Sequence, residues 1–184
     1  FAEVPGVIWD INRAGPSTGL PTRTQQGDLS MLYEASHGDT KHIVLIPGNM
    51  EECFEFGWRA FDIAEHYQTL VFGFSDLDLG MNRWICKGFD YPDEMDRGKV
   101  VHTQEELDAI ENYGRYRDVD GDGICYRTLP GSGLDPILYR GTGHDEDGAY
   151  SEDPDVYVAN MERLKRKIDG ARTTLPQPIL REEE

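Results

Sequence analysis

Cysteine is scarce in this chain, cations are few, and long apolar runs are absent; each shortage closes off a class of protein. The three cysteines among 184 residues, Cys53, Cys86 and Cys125, are widely spaced and form no Cys-x-x-Cys pair. That argues against an iron–sulfur cluster or a structural zinc built by this chain alone. An odd, unpatterned count fits a reducing compartment better than a disulfide framework. Lysine plus arginine total 18 against 35 aspartate plus glutamate, a formal net charge of −17. A surface so short of cations repels phosphate backbones and anionic headgroups, so neither nucleic acid nor a membrane is expected as a partner. With no signal peptide, lipidation motif or membrane-spanning stretch, the cytoplasm is the default location. What remains is a chain of 38% hydrophobic residues, enough for one ordinary domain with its own core. The Phe-Ala-Glu start before a core-type strand, and the Pro-rich end, read like an interior slice of a longer polypeptide.

The richest stretch is Arg13-Ala-Gly-Pro-Ser-Thr-Gly-Leu-Pro-Thr-Arg-Thr-Gln-Gln-Gly-Asp28. It follows Val4–Ile11, an apolar run that reads as a buried strand. Open α/β sheets place their ligands where a strand opens into a loop of this kind. Pro16 and Pro21 stiffen it, Ser17, Thr18, Thr22 and Thr24 supply hydroxyls, and Arg13 and Arg23 are permanent cations able to grip a carboxylate or phosphate with two parallel hydrogen bonds. The plainer alternatives are a polar connector, or arginines that close the loop through a structural salt bridge.

Further along, Asp28–Ala35 reads as a short helix and His42–Ile46 as a second strand. Asn49 looks like an N-cap with Glu52 three residues on, opening a helix to about Tyr67 whose apolar stripe is Cys53, Phe56, Ala60, Ile63 and Ala64. Thr69–Phe74 is a third strand, so the order is strand–helix–strand and the expected sheet is parallel. From Leu77 to about Asp147 only Thr103–Ile110 reads as a helix; so long an excursion suggests an active-site cover, a subunit arm or a metal-tied loop. Asp153-Pro154 starts a last helix, with Tyr157, Met161, Leu164 and Ile168 on its buried side and Arg163, Lys165, Arg166 and Lys167 suiting its C-terminal end. Residues 171–184 read as an extended linker.

Blocks of sequence in a fixed order carry a resemblance. They are the Arg13–Asp28 stretch, His37-Gly-Asp-Thr, Ile43-Val-Leu-Ile-Pro-Gly48, Glu51-Glu-Cys-Phe, Ala60-Phe-Asp-Ile-Ala-Glu65, Ser75-Asp-Leu-Asp-Leu-Gly-Met81, Asp118-Val-Asp-Gly-Asp-Gly-Ile124, Tyr126-Arg-Thr-Leu-Pro-Gly131 and Gly141-Thr-Gly-His-Asp145. Together, over about residues 1–169, they resemble the thiamine-binding alpha subunit of 2-oxoacid:ferredoxin oxidoreductases. The resemblance implies an α/β fold: half of a doubly wound, parallel-sheet pyrimidine-binding domain (1–76), a loop-rich arm (77–152), a packing helix (153–170) and the linker. It implies thiamine diphosphate shared with a beta subunit, with magnesium and iron–sulfur centres on partner chains or domains. The implied reaction is oxidative decarboxylation of a 2-oxoacid, 2-oxoglutarate or a relative, to acyl-CoA, with electrons passed to ferredoxin. Arg23 is then the first choice for the substrate-carboxylate clamp, with Thr22 and Thr24 beside it and Arg13 as the alternative. Two departures stand out: Ala14 replaces a common glycine, and the family's Tyr-Pro-Ile-Thr-Pro segment has no match.

The acidic stretch Asp118-x-Asp120-x-Asp122-Gly123 has the spacing of the first half of a calcium loop. Its twelfth position is Leu129 rather than a bidentate glutamate, and Asp135 could substitute only after considerable folding back. A solvated acidic turn, or a non-catalytic calcium-binding or interaction module, are the competing readings. His144 and His37 lie in polar loops, as proton donors or substrate-orienting groups or as ordinary hydrogen-bonded surface residues.

Overall fold

The opening apolar run forms strand β1 (Gly6–Ala14), which continues past Ile11 to the far side of Arg13. In the computed structural model, which describes residues 1–38, 41–134 and 139–180, the polar stretch after it is no open loop. It turns back at residues 15–19 and returns as β2 (Leu20–Thr24), antiparallel to β1, with Arg13 opposite Thr24 and Ala14 opposite Leu20. The reversal passes through a cis Gly15–Pro16 bond and Ser17, whose φ is 54°. Two threonines at alternate positions of the return limb suit a strand.

After the short helix α1 (Leu29–Tyr33) come β3 (Ile43–Leu45), the long helix α2 (Met50–Tyr67) and β4 (Leu70–Asp76). The sheet order is β2-β1-β4-β3. β1, β4 and β3 run parallel, with Gly6 level with Leu70, Asn12 with Asp76, and Ile43 with Val71. The expected parallel α/β sheet is therefore present, with an antiparallel strand added at the edge. Period-two alternation sorts β4 between two layers. Val71 faces a core with Ile43, Leu45, Phe56, Ala60, Ile63 and Ala64, whereas Phe72 and Phe74 pack with Leu32 on the other side. Trp9 lies over its register partner Gly73, where a Cβ would overlap the indole.

The caps explain where the helices begin. Asn49 Oδ1 accepts the Glu52 N–H at 2.8 Å, and Glu52 accepts from Gly48 N at 2.6 Å, one residue earlier than a capping box requires. A short helix unforeseen in the sequence, α3 (Leu77–Met81), starts where Asp76 Oδ1 accepts the Leu79 N–H. Helix α4 (Gln104–Ala109) has the full Thr103–Glu106 capping box and carries Leu107 into a small cluster with Val101 and Leu134.

Helix α5 (Pro154–Ala171) begins at the Asp153 cap as expected, but its most buried side is different. Tyr157 is 46% exposed, while Asn160, Arg163 and Lys167 are buried. The reason is Glu3, turned inward from the segment before β1. Arg163 meets Glu3 Oε1 at 2.5 Å and Lys167 meets Oε2 at 2.6 Å. Two charges that looked like solvated helix-end cations are thus compensated inside the protein. The apolar stripe of α5 instead lines, with Val4 and Leu70, a groove of about 830 Å³ at the N-terminal ends of the parallel strands. Leu175, within the expected linker, packs against the main core.

Candidate functional site

The β1–β2 hairpin continues from the C-terminal end of β1, beside the C-terminal end of β4. Asn12, only 2% exposed at the end of β1, accepts the Gly27 N–H at 2.8 Å and donates to Asp28. Its register partner Asp76 accepts from Gln26 Nε2 at 2.8 Å. The Leu79 N–H above all, with the Gln26 and Thr24 side chains, holds the Asp76 carboxyl below its ordinary pKa against the opposing pull of desolvation. Asp10, two residues before Asn12, is pushed the other way, by burial first and by Asp28 second. Its Oδ2 is buried without a hydrogen-bond partner among the described residues.

Beyond this base the hairpin stands in solvent. All five residues of β2, including Thr22, Arg23 and Thr24, are exposed, and so is Arg13. Arg13 and Thr24 are cross-strand partners, so the structure brings all four expected substrate-binding residues onto one hairpin. Neither arginine forms an ion pair among the described residues. A structural salt bridge closing the loop is therefore not what the described residues show. Alternation along β2 puts Thr22 and Thr24 on the face of Arg13 and Arg23 on the other, and a guanidinium on either face can bind a carboxylate in a directed, bidentate manner.

The other expected site residues lie apart. Asp118 pairs with Arg166 at 2.9 Å, and a cation does sit between Asp120 and Asp122, but it is an ammonium. Lys99 Nζ lies 2.7 Å from Asp120, 2.8 Å from Asp122 and 2.9 Å from the Ile124 carbonyl oxygen. Desolvation opposes its charge; contacts with Asp120 and Asp122 outweigh that and raise its pKa. Among the described residues no group of three or more His, Cys, Asp or Glu side chains is placed to hold a metal. Asp135, the remote ligand considered for calcium, lies outside the described residues, as do Asp39 and Thr40 of the His37 block.

His144 is a correction. Rather than standing in a mobile polar loop it is 1% exposed, packed against the Tyr116 ring at 3.8 Å and edge-on to Phe1. Nδ1 lies 2.8 Å from the Thr142 carbonyl oxygen, and burial above all lowers its pKa. His37 is exposed before β3, near the strands' N-terminal ends and not beside the hairpin. The residues that sequence reasoning passed over are Asp10 and Asn12. Their signal was present: two polar side chains in a run otherwise suited to a buried strand.

Residues 1–84 match the family model described as "Pyruvate flavodoxin/ferredoxin oxidoreductase, thiamine diP-bdg". The chain belongs to the alpha-subunit family of the 2-oxoacid:ferredoxin oxidoreductases. It is 36% identical over 177 residues to the 2-oxoacid:ferredoxin oxidoreductase 2 alpha subunit of Aeropyrum pernix, covering 95% of this chain and 26% of that one. Identity to the 2-oxoglutarate synthase subunit KorA of Methanocaldococcus jannaschii is 43% over 178 residues, covering 91% of this chain and 43% of the relative. A solved 2-oxoglutarate:ferredoxin oxidoreductase from Magnetococcus marinus, with 2-oxoglutarate, coenzyme A and succinyl-CoA bound, superposes with a TM-score of 0.80 at 26% identity. That match takes in 96% of this chain and 30% of the solved one. The chain thus spans between about a quarter and under half of these relatives.

Proposed function

We propose that this chain is the substrate-gripping part of the alpha subunit of a thiamine-diphosphate-dependent 2-oxoacid oxidoreductase. The carrying observation is the pair Arg13 and Arg23, exposed on a hairpin at the ligand-binding end of a parallel sheet and free of carboxylate partners among the described residues. Arg23 receives the 2-oxoacid carboxylate; Arg13, on the opposite face of the hairpin with Thr22 and Thr24, is the alternative clamp. When bound, thiamine diphosphate supplies the carbanion chemistry at the keto carbon; the protein's part is to hold and orient. In the overall reaction a 2-oxoacid and the coenzyme A thiol give acyl-CoA and carbon dioxide, with one proton and two electrons leaving, the electrons to ferredoxin. A 2-oxoglutarate-like substrate is favoured by the names of the KorA relatives and of the solved relative.

The hairpin's exposure supports a beta subunit that closes the site and shares the cofactor. In this reading magnesium and the iron–sulfur centres are carried by partner chains or domains. Free cysteines fit the cytoplasm, and among the described residues no helix is long and apolar enough to cross a membrane.

The test is Arg23→Ala in the complete enzyme. Loss of a charge-assisted carboxylate clamp should lower kcat/KM for the 2-oxoacid about a hundredfold and leave thiamine diphosphate binding unchanged. Wild-type kinetics would remove Arg23 from the site. The calcium-module reading finds no support at the acidic turn, where Lys99 takes the cation's position.

A further inference from the structure

The strand carrying Arg23 is held by two side chains at the end of the sheet, and they are neighbours across the β1–β4 ladder. Asn12 and Asp76 are register partners. Between them they take hold of three successive residues just past the end of β2: Asp76 accepts from Gln26 Nε2, and Asn12 accepts from Gly27 N and donates to Asp28. Inside the hairpin itself, ladder pairing is confined to Arg13–Thr24 and Ala14–Leu20, with a register shift between them. So short and irregular a ladder does not fix its own angle to the sheet.

We propose that Asn12 and Asp76 are positioning residues, a two-jawed clamp on Gln26, Gly27 and Asp28 that sets where Arg23 stands relative to the bound 2-oxoacid. The inference rests on the assignment of Arg23 to the substrate carboxylate. Asn12 suits the task because its amide both accepts and donates. Asn12 is itself buried, so loss of either bond leaves its own amide group with no water to turn to. Asp76 serves the hairpin with one oxygen while the other caps α3, so hairpin and α3 share one anchor.

The experiment compares Asn12→Asp, Gln26→Ala and the swap Asn12→Asp with Asp28→Asn in the complete oxidoreductase. Asn12→Asp keeps the acceptor for Gly27 but sets a carboxylate against Asp28; the swap restores a donor–acceptor pair with reversed polarity. Asn12→Asp should raise the 2-oxoacid KM about tenfold with kcat held within about threefold. It should also speed amide hydrogen exchange across residues 20–27 and leave the coenzyme A KM alone. The swap should recover both KM and exchange. Gln26→Ala, at an exposed contact that leaves the α3 cap in place, should shift both in the same direction by less, and it carries the test if Asn12→Asp does not fold. Unchanged KM and exchange in Asn12→Asp, loss of kcat alone, or a swap that restores neither quantity overturns the proposal. Arg23→Ala run alongside separates the two claims. If it shows wild-type kinetics the substrate assignment fails, while hairpin exchange in the Asn12 variants still decides the clamp.

Discussion

The two ends of the parallel strands use cations in opposite ways. At the N-terminal end, Arg163 and Lys167 are buried and close on Glu3. Burial pushes the Glu3 carboxyl upward, but Lys167 and Arg163 outweigh it and bring the pKa down to about 2. At the C-terminal end, Arg13 and Arg23 project into solvent on a hairpin whose base is tied down while its tips are not. What differs is whether the fold supplies the counter-charge: it does for Arg163 and Lys167, and among the described residues it does not for Arg13 and Arg23.

That contrast can be broken most severely at the buried end. Glu3→Ala in the complete subunit should cost about 3–5 kcal/mol in denaturant unfolding, because two cations are left buried without their carboxylate. In the fraction that folds, the 2-oxoacid KM should stay at its wild-type value. The same carboxylate makes an acid-sensitive joint. Its folded pKa of about 2 lies below the ordinary 4.5, so its contribution is complete above about pH 4.5 and is lost as pH falls toward 2. The backbone amides around Glu3 should report that loss as weaker hydrogen-exchange protection; protection unchanged between pH 5 and 3 would refute it. Arg23→Ala is the converse case, with catalysis reduced and unfolding free energy unchanged within about 0.5 kcal/mol, as for an exposed side chain. Asn49→Ala should cost about 1 kcal/mol by removing the α2 cap, read from the denaturation midpoint. Smallest of all, millimolar calcium should shift the melting temperature by less than about 1 °C, because linkage requires a site that binds in the folded state. A clear rise would return the acidic turn to the metal readings.

Local chemistry made much of this legible in advance. Asn49, Thr103 and Asp153 start helices where short polar side chains before an apolar stripe should, because a cap needs only its own neighbours in sequence. The strand–helix–strand order from β3 to β4 followed from apolar spacing in the same way, and the polar character of residues 13–24 was plain, although not that they form one exposed hairpin. Three features were not legible. The polar stretch after β1 returns as a strand, which depends on the reversal at residues 15–19. Helix α5 turns Arg163 and Lys167 inward, because Glu3, 160 positions before Arg163 in the chain, arrives to meet them. Lys99 fills the acidic turn from more than twenty positions away.

The sequence by itself determined the helix starts, the parallel α/β order and the cluster of arginines and hydroxyls at residues 13–24, since each rests on patterns within a few residues. Only the tertiary structure decided which cations are available. Arg23 and Arg163 have the same guanidinium; a buried Glu3 stands beside one, and among the described residues no carboxylate pairs with the other. Counter-charge at a distance in the chain carries no local signal, so the difference emerges only when the sheet and α5 pack together.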